Sequence, residues 1–134
     1  MTHNMAKWAG WMAAALLMLG AAFHTTGLGL AKAGAQEVSN LFLAAALEPI
    51  WAMASLNWVS FSLLAAIFAG RTDRTSRLAL SIIGGCLVLI AATMARSLLG
   101  FPGTWVLGLS GLLLLLSAAL ATTRTASAGN GASR

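Results

Sequence analysis

Four stretches of the chain carry no formal charge: Trp8 to Ala31, Pro49 to Gly70, Leu78 to Ala95 and Ser97 to Thr123. About 20 apolar residues cross the hydrocarbon of a bilayer as a helix, and each stretch predicts one crossing. The last is interrupted by Pro102 and Gly103, which end or begin helices, so its helix is predicted from Thr104 to Ala121 after a tight turn over residues 100–103. The pattern predicts an all-α integral membrane four-helix bundle. It forms a single domain over residues 1–121, with helices at about 8–30, 49–69, 78–99 and 104–121. Residues 122–134, rich in Ser, Ala, Thr and Gly, predict a flexible cytoplasmic tail.

Two irregular places qualify this pattern. Lys7 before an apolar run and the small-x-small spacing of Ala31-Lys32-Ala33 also suit a cleaved signal peptide, but the run is long for a signal core and is taken as a span. Between Lys32 and Pro49, Leu41 to Leu47 is wholly apolar after a candidate cap at Ser39 or Asn40. Two structures fit it. A short interfacial helix turning at Glu48-Pro49 is favoured over a second helix that begins near Asn40 and kinks at Pro49.

Charge then gives an orientation. One set of span ends collects Lys7, Arg71, Arg74, Arg77, Arg124 and Arg134, the other only Lys32 and Arg96. Positive charge resists translocation, so both termini and the segment RTDRTSR are expected inside, in a bacterial-type cytoplasmic membrane, N-in and C-in. The net charge of +5 is spread over these flanks and is therefore topological, with no nucleic-acid partner expected. Cys86 is the only cysteine, which excludes an intrachain disulfide and a thiol relay.

Lipid is as apolar as leucine, so buried faces are marked by small and polar residues at three- and four-residue spacing. The first helix offers Gly10, Ala13, Leu17, Gly20, His24 and Gly27. The second offers Glu48, Trp51, Ser55, Trp58 and Ser62, with Asn57 beside them in need of a hydrogen-bond partner. The third offers Ser81, Gly85, Val88, Ala92 and Arg96, and the fourth Thr104, Gly108, Gly111, Leu115 and Ala118. Trp8, Trp11 and Trp105 lie near span ends and read as interfacial anchors.

At 1.5 Å per residue His24 lies roughly 24 Å from Trp8, and Arg96 roughly 28 Å from Arg77. Glu48 starts the second span at the same level. Ionisable groups placed in a membrane are costly and tend to pair or face a cavity, so the three are candidate catalytic residues in the outer half of the bundle. Glu48 would fix the histidine tautomer or pair with Arg96, and His24 would serve as acid or base. Trp51, Ser55, Asn57 and Trp58 are the candidate ligand-binding residues. Such a pocket suits a small apolar or amphiphilic molecule.

Other chemistry has thinner support. His3, the second histidine, lies at the opposite end, and one histidine with one carboxylate falls short of a zinc site, so no metal is expected. A haem would need His24, Met53 or Met94 as axial ligand. Phosphate loops, nucleophile elbows and paired hydrolytic carboxylates are absent from the sequence. Leu56-Asn57 followed by DRTSRLALSII resembles the small four-helix membrane isomerases that rearrange styrene oxide, over about forty residues. The resemblance implies an isomerase, yet those enzymes carry a haem-ligating histidine where this chain has Trp51, and a tyrosine where this chain has none.

Three functions follow in order of preference. The first is a pocket protein or isomerase-like membrane enzyme, the second an accessory or assembly subunit of a larger membrane complex, the third a small transporter. Four short helices enclose little volume, which favours a homo-oligomer.

Overall fold

A computed structural model describes the backbone of residues 2–131 and the side chains of residues 4–121. It is all-helical: α1 Thr2–Thr26, α2 Leu28–Glu37, α3 Leu41–Phe68, α4 Arg74–Leu98 and α5 Pro102–Gly131. Four helices are long and apolar enough to cross a membrane, over Asn4–Thr26, Leu41–Phe68, Arg74–Leu98 and Pro102–Ala121. α5 continues as helical backbone past Ala121 into the residues expected to form the tail, of which 132–134 lie outside the described residues.

The helix ends have local causes that hydropathy does not contain. Asn40 caps α3, its Oδ1 accepting from the amides of Phe42 and Leu43 at 3.0 and 3.2 Å. From that cap α3 runs unbroken through Pro49, so the favoured separate helix over residues 40–48 is replaced by an extension of the second span. Pro49 removes one backbone donor, a loss that membrane helices tolerate. Asp73 caps α4 with a 2.8 Å bond from the Ser76 amide and a 2.7 Å bond from its hydroxyl. Those two bonds, the hydroxyl's first, hold the Asp73 carboxyl below its ordinary pKa. The cap starts α4 at Arg74, four residues before the expected start. Between α3 and α4 Gly70 adopts φ +82, the left-handed conformation that ends a helix and suits glycine. The Lys7 side chain lies against Gly70, which puts the start of α1 and the basic turn at one end of the bundle.

The short helix sits elsewhere than expected. α1 breaks at Gly27 and α2 follows at once, packing along the start of α3 with Ala31 buried. A Cβ at Gly27 would lie 2.5 Å from Trp51 Cζ2, and the Trp51 indole donates to the His24 carbonyl at 2.7 Å. That carbonyl also accepts from the Gly27 amide at 3.0 Å, a tighter turn than the α-helical one. A side chain wedged into the helical ladder is a known cause of a break, and here only glycine leaves room for it.

α4 packs on α5, α5 on α1, and α1 on α3, while α3 and α4 barely touch. The core is small and aliphatic: Ala13, Ala14, Leu17 and Ala21 of α1 meet Trp58 and Ala65 of α3, Leu80 and Leu87 of α4, and Leu107 and Leu114 of α5. The small-residue stripe expected on α1 is the buried one, but on α4 the buried face is Leu80, Gly84, Leu87 and Ala91, one residue away from the expected stripe. Two serines join helices through backbone carbonyls: Ser62 Oγ donates to Ala14 O and Ser117 Oγ to Ala6 O, each at 2.7 Å and buried. Ser62→Ala and Ser117→Ala should each cost about 0.6 kcal/mol, the average for hydrogen bonds between membrane helices. Unfolding in mixed micelles would measure it, and additive losses are expected because the two bonds share no group.

Candidate functional site

The last turn of α1 carries His24 inward at the end of the bundle opposite Gly70. It is 7% exposed. Trp51 stacks on the imidazole, with centroids 4.2 Å apart and planes at 15°. Trp58, seven residues on and on the same face of α3, tilts against it at 5.3 Å, and Phe101 from the α4–α5 turn meets it edge-on at 6.3 Å. Ser55, between the indoles on that face, is its polar partner: Oγ lies 2.8 Å from His24 Nδ1 and 3.3 Å from the Trp51 carbonyl. Three of the four side chains expected at a ligand site, Trp51, Ser55 and Trp58, thus form the immediate surroundings of His24.

Beside this group a cavity of about 300 Å³ opens where α3 and α4 part. His24 and Leu107 form its floor. Asn57, Trp58 and Phe61 of α3 face Leu87 and Met94 of α4 across it. Asn57 makes no hydrogen bond among the described residues; its carboxamide, the His24 imidazole and the Trp58 indole are the polar groups of an otherwise apolar and aromatic wall. A second cavity of about 360 Å³, between α1 and α5, uses the other side of Trp58 and has no charged side chain, and no hydrogen-bonding one besides that indole, in its lining.

The three expected titratable groups do not bond to one another. Glu48 pairs with Lys32 of α2 at 3.0 Å, with both side chains about half exposed; an exposed pair of this kind contributes about 0–1 kcal/mol. Ser55, the partner of His24, lies seven residues further along α3, roughly 10 Å below Glu48 at the helical rise. Arg96 is exposed in the last turn of α4, where a cation interacts favourably with the helix terminus. It is two residues beyond Met94 and so about 200° around the helix from the cavity. Among the described residues no three His, Cys, Asp or Glu side chains cluster as a metal site.

Ala54, Phe61, Leu87, Ile90, Phe101 and Leu107 are the parts of the wall that the sequence did not single out. Leu87 and Leu107 look like any lipid-facing leucine. Phe101 owes its place to the turn before Pro102, a tertiary fact. Compared with protein-family models, with curated proteins and with solved structures, the chain matches none.

Proposed function

We propose that this chain is a small four-pass membrane protein of a cytoplasmic-type membrane, with both termini inside, that binds a small aromatic or amphiphilic molecule between α3 and α4. The cavity around His24 and Asn57 carries the proposal. Its imidazole and carboxamide sit in a wall of rings and aliphatic side chains, the usual composition of a small-molecule site, and a polar side chain at membrane depth needs a partner. The mouth lies between α3 and α4, which barely touch, and this suits a ligand arriving from the bilayer. Segregation of Lys7, Arg71, Arg74 and Arg77 to the other end supports this orientation, in which the cavity belongs to the outer half. With one imidazole and no carboxylate in contact with it, the site is built for binding.

The test is direct. Protein in lipid nanodiscs, titrated with 1-ethyl-4-fluorobenzene and followed by ¹⁹F NMR, should show a saturable bound signal beyond partitioning into empty nanodiscs. Ala54→Phe, which fills the cavity from α3, should remove it. Equal partitioning into loaded and empty nanodiscs would overturn the proposal.

A further inference from the structure

The contacts of Ser55 with His24 and Trp51 favour one neutral tautomer of the imidazole. The Ser55 hydroxyl has one proton and two neighbours, His24 Nδ1 at 2.8 Å and the Trp51 carbonyl at 3.3 Å. If it donates to Nδ1, the contact with the carbonyl is left unmade. If it donates to the carbonyl, Oγ accepts from Nδ1–H and both bonds exist at once. The second arrangement satisfies more groups in a site where water does not compete. It puts the proton of the neutral imidazole on Nδ1 and leaves a lone pair on Nε2.

That lone pair is not used within the fold. Nε2 has no hydrogen-bond partner among the described residues, is not one of the fully enclosed unpartnered atoms, and belongs to a side chain that forms the cavity floor. The stacked Trp51 and the tilted Trp58 hold the ring plane, so the acceptor has a fixed direction. Acceptors select donors. An ether or a quinone-type carbonyl would set its own lone pairs against Nε2, whereas a hydroxyl completes the bond. The volume adds a size limit: a dry cavity of about 150 Å³ holds benzene, and this one, at about 300 Å³, takes one ring with short substituents.

From this geometry we infer that the ligand is a phenol-type molecule, a single aromatic ring whose hydroxyl donates to His24 Nε2. The inference rests on the cavity being a binding site, as proposed above. The ring lies among Trp58, Phe61 and Phe101, and the Asn57 carboxamide is free to bond a second polar substituent.

Two probes of nearly equal shape separate the possibilities, 4-fluorophenol and 4-fluoroanisole, titrated into nanodiscs at neutral pH and corrected for partitioning. The wild-type protein should bind the phenol about tenfold more tightly, the order of effect expected for one hydrogen bond in an apolar site. His24→Phe keeps an aromatic ring in the stack and should bind both probes equally. Ser55→Ala releases the tautomer, and the preference should narrow while anisole binding persists. Saturable binding of both probes with equal affinity by the wild type overturns the inference and leaves the pocket standing, and so does a preference that survives in His24→Phe or is undiminished in Ser55→Ala. Failure of both probes and of 1-ethyl-4-fluorobenzene to saturate overturns the pocket itself.

Discussion

Gly111→Val is expected to prevent α4 and α5 from packing. A Cβ at Gly111 would lie 2.7 Å from the Gly84 carbonyl oxygen and 2.9 Å from the Val88 amide nitrogen, and a Cβ at Gly84 would lie 2.8 Å from the Gly111 carbonyl. These neighbours are backbone atoms. They cannot rotate aside, so the helices must separate along the seam. Overpacking a core typically costs about 1–3 kcal/mol, and a branched side chain against two backbones should reach or exceed the top of that range. Loss of the monodisperse species in size-exclusion chromatography, or a large fall in the thermal midpoint, is the measurement. Gly85→Ala is the matched control, because nothing lies within 4 Å of its added Cβ. It should leave the protein unchanged or slightly more stable, since alanine is the better helix former. A Gly111→Val protein as stable as Gly85→Ala would show that α4 and α5 do not approach this closely.

Trp58→Ala should have the second large effect, on both stability and binding. The indole is 7% exposed and separates the two cavities. A Cβ at Gly20 would lie 2.6 Å from its ring, so α1 is notched to receive it. Truncation would join about 300 and 360 Å³ of space and leave His24 without one of its walls. Deleting a large core aromatic costs about 3–5 kcal/mol in soluble proteins. In a bilayer most of this is lost packing, because the lipid reference is itself apolar. Saturable binding of 1-ethyl-4-fluorobenzene should disappear in Trp58→Ala and survive, weakened, in Trp58→Phe. Wild-type affinity in Trp58→Ala would exclude the indole from the site.

Uncharged runs were enough to place the four long helices, because in a bilayer the absence of charge over a helix length is itself the signal. Their ends were less legible. Gly27 breaks α1 only because Trp51 from another helix pushes against it, and Asp73 advances α4 through a side-chain cap. Within the site, the spacing of Trp51, Ser55 and Trp58 revealed one face of α3, and that face does meet His24. Glu48 and Arg96 were joined to His24 by depth alone. Equal depth says nothing about direction around a helix, and two residues of offset turned Arg96 away. The choice of Gly85 over Gly84 failed in a related way: adjacent glycines differ by 100° around the axis, and only the partner helix decides between them.

The order of packing, α4 on α5, α5 on α1 and α1 on α3, bears on how the chain assembles. A polypeptide is made from its N-terminus, so the helix that two others lean on is also the first to be made. α3 finds its partner already in place when it arrives, and so does α5. Only α4, whose contact with α3 is slight, must wait for the helix that follows it. In chain order α4 thus precedes the one helix it packs tightly against, and the glycine seam with α5 is the last that can close.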